Sequence, residues 1–311
     1  MTNAKFEVVA EGLRFPEGPI AMPDGTLLLV EIERQTLTRI DRDGRADVVA
    51  YVGGGPNGAA IGPDGHCYIC NNGGFAWHED EHGLRPTHQP ADYSGGRIER
   101  VDLKTGRVEV LYTKGPNAPL KGPNDIVFDG HGGFWFTDLG KARTNEVDRG
   151  RVYYAKCDGS RIEEAVYPML FPNGIALSPD DRRLYVAETD AGRVWAFDIE
   201  SPGRIAKKPW PSPNGGELLI GLPGYQRLDS MAVEASGNVC VATLMENAGV
   251  TVIAPDGKLV EQVLMPDRAT TNICFGGPDL RTAFVTLSLS GRLVAVDWPR
   301  PGLPLHHLNR D

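Results

Sequence analysis

Six side chains that each carry an oxygen recur at matching places along this chain: Glu17, Asn57, Asn124, Asn173, Asp229 and Asn272. Each precedes a short apolar strand and a tight turn. Oxygens of this kind, brought to one axis, form a site for a hard cation. Two carboxylates match a divalent charge, and amide oxygens fill the rest of the sphere. A single Asn or Asp at a strand start more often caps a backbone group. Six in register favour the metal-lined axis.

The elements that must position them are written as a repeat. Phe6 to Gly25 reads FEVVAEGLRFPEGPIAMPDG, and Ala46 to Gly65 reads ADVVAYVGGGPNGAAIGPDG. Drifted copies follow at KGPNDIVFDGHGG (121–133), LFPNGIALSPDD (170–181), LDSMAVEASG (228–237) and TTNICFGGPDL (270–280). After each turn comes a second apolar strand, such as Leu27 to Val30 or Phe134 to Thr137. A third is often introduced by Gly-Arg, as at Gly96-Arg97, Gly150-Arg151, Gly192-Arg193 and Gly291-Arg292. These are short runs bounded by turn residues, with no sustained helical period. Four strands in each of six units, spaced by about fifty residues, predict an all-β fold: a six-bladed β-propeller with antiparallel four-stranded blades, one domain over 1–311. Phe6 to Ala10 is a strand without a unit, and the last unit lacks a strand after Val294 to Trp298. The N-terminal strand is therefore expected to complete the last blade and close the ring.

In such a ring the first strand of each blade lines the channel. The second strands return to the same face, ending at Asn71, Asp138, Glu188 and Met245, and two insertions follow there, 73–96 and 139–149. The first carries Phe75, Trp77, His78, His82 and Tyr93, suited to a lid or pocket wall. Tyr225, Gln226 and Arg227 lead into the Asp229 strand. Small-molecule substrate contacts are expected from Asn57, Asn124, Asn272, Lys121, Trp77, His78, Tyr225 and Gln226, against the plainer reading of solvated loop residues.

The segments Phe15-Pro-Glu17-Gly-Pro, Gly122-Pro-Asn124-Asp125, Phe171-Pro-Asn173-Gly-Ile-Ala and Leu228-Asp229-Ser-Met resemble the blade motifs of the gluconolactonase and regucalcin (senescence marker protein) family, with diisopropyl fluorophosphatase similar in layout. The resemblance spans essentially the whole chain. It implies a metal-dependent lactonase, with a sugar lactone such as gluconolactone as substrate. It also implies one divalent metal, calcium first, with zinc, manganese, magnesium or iron as alternatives. Glu17, Asn173 and Asp229 would be metal ligands, and Asn124 would ligate or hold substrate. Asp229 would be the catalytic residue, as general base on water or as nucleophile. Asp125 would orient Asn124 or cap the next strand. Family members of the regucalcin type carry an arginine two residues before the third-motif Asn, where this chain has Gly122 beside Lys121, so the resemblance does not name the sugar. Hydrolysis of a phosphotriester or fluorophosphate, and a non-catalytic calcium-binding propeller, are the competing readings.

Composition limits partners. A formal net charge of -9 argues against nucleic acid and anionic membranes. The start of the chain lacks a signal-peptide pattern, and five scattered cysteines suit a reducing compartment, so a cytoplasmic monomer or small homo-oligomer is expected. Three motifs are set aside. His78-Glu-Asp-Glu-His82 lies in a polar insertion without the helix a zinc protease needs. Gly53-Gly-Gly55-Pro-Asn-Gly58 precedes a strand rather than a helix. Cys67 and Cys70 fall on one strand with no second pair.

Overall fold

Every repeat becomes one blade, because each supplies a largely apolar second strand that must be buried on both faces. The computed structural model describes residues 1–310. The inner strands are Pro16–Ala21, Pro56–Ile61, Pro123–Phe128, Pro172–Leu177, Gln226–Val233 and Thr270–Gly276, in blades 1 to 6. Three further strands pair outward from each in antiparallel order. In blade 6 the outermost strand is Glu7–Ala10, whose Glu7 lies opposite Ala295, so the N-terminal strand closes the ring as its pattern predicts. Thr2–Asn3 continues onto the edge of blade 5, pairing in parallel with Leu259–Leu264.

Apolar side chains fill the wedges between neighbouring blades. Trp135, Tyr154, Val186 and Phe197 form one such wedge between blades 3 and 4, all nearly or fully buried. Burying a large apolar side chain contributes about 1.5–3 kcal/mol, so six wedges of this kind hold the ring without a disulfide. Cys67 and Cys70 are part of this filling, both free and buried. No helix among the described residues is long and apolar enough to cross a membrane.

A last segment, from about 299 onward, is not written in the repeat. It crosses the face opposite the oxygen-bearing strand starts. The Leu303 amide donates to Val233 O at 2.8 Å, and His306 Nε2 sits 2.7 Å from Asp181 Oδ2. Leu303, Leu305 and Leu308 thereby face a largely apolar cavity of about 110 Å³ at the far end of the channel.

Candidate functional site

A β-bulge near the start of each inner strand aims the site residues. In blade 2, Pro56 pairs with Asn71 and Ala59 with Ile69, so Asn57 and Gly58 together oppose one residue. The same irregularity occurs at Pro123/Ile126, Pro172/Ile175 and Leu228/Met231, and between Glu17 and Ile20. Bulges re-aim a side chain and sharpen the local twist. Here they turn Glu17, Asn57, Asn124, Asn173 and Asp229 into one cavity of about 520 Å³ at the channel mouth.

Blade 6 departs from the sequence reading by one residue. Thr270 pairs with Leu287 and Asn272 with Thr286, so the bulge falls at Thr271. Thr271, not Asn272, is the sixth side chain of the ring and lines the mouth. Asn272 instead occupies the next position, equivalent to Asp125, and donates from Nδ2 to Glu17 Oε2 at 2.7 Å.

That next position explains the glycines of the motif. A Cβ on Gly18 would lie 2.6 Å from Asn57 O, one on Gly58 2.5 Å from Asn124 O, and one on Gly174 2.5 Å from Asp229 O. Each glycine lets the following blade's site residue come close. Where the position is Asp125, the side chain works as a staple: Oδ1 accepts the Ile126 amide at 3.0 Å and Oδ2 the Ile175 amide at 3.2 Å. It thus caps across to blade 4. Burial, with the Glu17 charge adding to it, pushes the Asp125 carboxyl up to about 7.

Burial also raises the Glu17 carboxyl, against hydrogen bonds from Asn272 and the Gly18 amide. Asp229 is driven well above the usual carboxylate range by burial first and the Glu17 charge second. Two carboxyls that disfavour each other's ionisation, with amide oxygens beside them, lack a positive charge between them. Asn124 Oδ1 is buried and has no hydrogen-bond partner, an orphaned acceptor facing the same problem. The donors are oxygens throughout, and no group of three or more His, Cys, Asp and Glu gathers among the described residues. Residues of this kind fit a hard divalent cation.

Strain marks the same wall. Phe15, Phe171 and Met245 all line the cavity with positive φ of 55°, 48° and 71°. Left-handed backbone at such residues costs about 1–3 kcal/mol each and persists where the surroundings impose it.

The insertions roof the mouth, through some of the side chains singled out by sequence, Phe75 and His82, but not through Trp77 or His78. Residues 77–86 form a hairpin, Trp77–Asp80 against Gly83–Pro86. It leans across blade 1, where Arg14 bonds Glu33 at 3.0 Å and Glu79 at 2.7 Å. Its turn abuts blade 6, since a Cβ on Gly83 would meet Leu289 O at 2.4 Å. At its other end the Gln89 amide reaches Ala142 O at 3.0 Å. Trp77 packs behind Phe15, ring centroids 5.4 Å apart, rather than facing the cavity. His78 pairs with Asp80 on the exposed outer side, and His78 and His82 sit on a hairpin, not a helix. Phe75 and His82, as expected, line the cavity, joined by Arg85 and His88.

Lys121 is turned outward to Asp148. Tyr225 is exposed, its amide bonded to Glu246 Oε2 at 3.1 Å. Gln226 is buried in blade 5, donating to Pro223 O and accepting from Gln262 at 2.8 Å. Gly122 has no room for any side chain: a Cβ there would lie 2.3 Å from Gly140 O, because the 139–149 loop folds over it.

Lys141, from that loop, escaped the sequence reading. It is 1% exposed and lines the cavity. Its Nζ donates to Gly74 O at 2.7 Å and Asn72 Oδ1 at 3.1 Å, and lies 4.2 Å from the Phe75 ring centre. Burial lowers its ammonium to about 7, with Asp138 opposing. A lone lysine in a polar loop gives no sequence signal for such burial.

The profile of the SMP-30/gluconolactonase/LRE-like region matches residues 15–288. The chain is 25% identical to a gluconolactonase of Zymomonas mobilis subsp. mobilis over 92% of this chain and 80% of that protein. It is 28% identical to the lactonase drp35 of Staphylococcus haemolyticus, over 85% of this chain and 73% of that one. Among solved structures, a calcium-binding regucalcin from Agrobacterium tumefaciens superimposes with a TM-score of 0.75 at 21% identity, covering 99% of both chains. A gluconolactonase from Xanthomonas campestris gives 0.74 at 22% identity over 95% and 90%.

Proposed function

The chain belongs to the SMP-30/gluconolactonase/LRE-like family, and from that premise we infer that it is a lactonase that hydrolyses a small lactone to its hydroxy acid at a divalent cation in the channel mouth. The observation that carries this reading is the convergence of Glu17, Asn124, Asn173 and Asp229 at strand bulges around one cavity, with Asn124 Oδ1 left unpartnered. These four residues would hold the cation. An all-oxygen donor set favours calcium, magnesium or manganese over zinc. When bound, such an ion supplies a Lewis acid for the lactone carbonyl.

The chain's own groups do the rest. Asp229, the carboxylate that shares the channel mouth with Glu17, would take the proton of the attacking water. Asn173, beside Asp229 in the same cavity, opposes part of the upward shift of its carboxyl. Glu17 is held by Asn272 and the Gly18 amide, both on Oε2, so it is a rigid ligand rather than a mobile base. Asn57 and Thr271 complete the polar ring against which the hydroxyls of the substrate would rest. The hairpin roof excludes bulk water and strengthens these electrostatic contacts.

A pH-indicator screen tests the reading. Metal-stripped protein is reconstituted with calcium, magnesium, manganese, zinc or iron and offered sugar lactones and simple lactones. Acid release that requires the ion and is lost in Asp229→Asn supports it. Absence of acid release with every ion and lactone overturns it.

A further inference from the structure

The charges of the cavity wall do not balance once the cation is counted, and the excess is positive. Arg85 is matched by Asp80 at 2.7 and 2.8 Å, and Arg227 by Asp190 at 2.9 Å. Glu17 and Asp229 would be matched by the dication. Arg268 is left. It lines the same cavity, and no carboxylate lies within 4.0 Å of its guanidinium among the described residues. Lys141 likewise has no carboxylate within ion-pair distance, and its Nζ rests against two carbonyl oxygens and two aromatic rings. This occurs in a chain whose formal net charge is -9, so the local excess runs against the composition.

Arg268 is also presented by an unusually fixed piece of backbone. Its carbonyl accepts the Met245 amide at 2.9 Å. The preceding Asp267 is buried and its carboxylate is spent on the backbone: Oδ1 takes the Ala269 amide at 2.8 Å, and Oδ2 takes the amide and hydroxyl of Ser290 at 2.8 and 2.7 Å. Asp267 therefore clamps the loop without neutralising its neighbour. A planar guanidinium exposed at the rim of the cavity, on a rigid mount and free of a carboxylate, suits bidentate recognition of an oxyanion.

We propose that the substrate is a lactone bearing an anionic substituent, a carboxylate or a phosphate, and that Arg268 binds that substituent while the lactone ring lies over the polar ring of the channel. The inference rests on the lactonase reading, and it adds a substrate class to it. Arg268 is a specificity-determining residue here. The buried Lys141 lies on the same wall, but two of its three N–H donors are committed to Asn72 and Gly74, so the anion is assigned to Arg268 alone.

The test compares three probes: gluconolactone, glucarolactone with its extra carboxylate, and the phosphate ester of gluconolactone. Wild-type protein is expected to turn over at least one of the anionic lactones with a kcat/KM ten- to a hundredfold above the neutral one. The advantage should reside mainly in KM and should shrink with added salt. In Arg268→Gln the ratio of anionic to neutral kcat/KM should collapse toward one, and Arg268→Lys should restore only part of it. Which anionic probe is preferred identifies the substituent. Equal kcat/KM for neutral and anionic lactones in the wild type, or an unchanged ratio in Arg268→Gln, overturns the proposal. Calorimetric binding of gluconate and glucarate to the cation-loaded protein gives a readout that needs no turnover. If no lactone is opened yet glucarate binds tenfold tighter than gluconate in an Arg268-dependent way, the lactonase reading fails while the anion site stands.

Discussion

The same six inner strands line both ends of one channel, and the two ends have opposite character. At the mouth the strands present Glu17, Asn57, Asn124, Asn173, Asp229 and Thr271. At the far end they present Ile20, Ile61, Val127, Leu177, Val233 and Phe275, closed by Leu303, Leu305 and Leu308 of the final segment. The difference arises within a few residues, at the bulge. On its mouth side the chain holds polar groups that are buried, mutually repelling or unpartnered, on backbone that is partly left-handed. Beyond it, alternation resumes and apolar side chains pack in the ordinary way. On the lactonase reading, stability and chemistry belong to opposite ends of the same strands.

Substitutions at the two ends should separate along that line. Asp229→Asn is expected to lower kcat/KM about a thousandfold, the loss usual for removing a positioned base. In cation-free protein it should not lower the melting temperature, because it relieves the repulsion with Glu17. A parallel loss of stability and activity would erase the contrast. Leu177→Ala, at the far end, should do the reverse: about 2–5 kcal/mol less stability in urea unfolding, with activity per folded molecule unchanged.

Lys141 sharpens the contrast through pH. Its ammonium falls from 10.5 to about 7 on folding. Between those values the unfolded chain binds a proton that the folded chain has lost, so stability rises with pH across that window. Below it both states are protonated and the slope vanishes. Lys141→Met should remove this rise when urea midpoints are compared at about pH 7 and about pH 10. The smallest effect is expected from Thr271→Val. It deletes a mouth hydroxyl that is 2.9 Å from Thr286 Oγ1, and should cost about 1 kcal/mol of stability with a several-fold rise in KM.

Much of this was legible in the chain itself. Pro-Asp-Gly turns, apolar second strands and Gly-Arg starts define the blades, and strand Glu7–Ala10 closes the ring where its lack of a unit pointed. Five of the six mouth residues were legible because Pro or Leu before them, and Gly, Asp or Ser after them, write the bulge in sequence. Thr270-Thr-Asn-Ile lacks that punctuation, and the familiar Asn drew the register one place too far. Side-chain direction in the insertions was not legible. Strand alternation in a hairpin sends Trp77 onto Phe15 and His78 to solvent, and only the paired partner strand decides which face is which. The burial of Lys141 and the closing of the far end by 299–310 depend on contacts between segments distant in sequence. No local pattern encodes them.

The most direct test of the account is the stoichiometry of bound dication, measured by elemental analysis and calcium titration on wild-type protein and on Glu17→Gln. The account predicts one ion per chain in the wild type and loss of that site in Glu17→Gln, with circular dichroism unchanged. Undiminished stoichiometry in the variant, or no bound ion in the wild type under any of the tested metals, would contradict it.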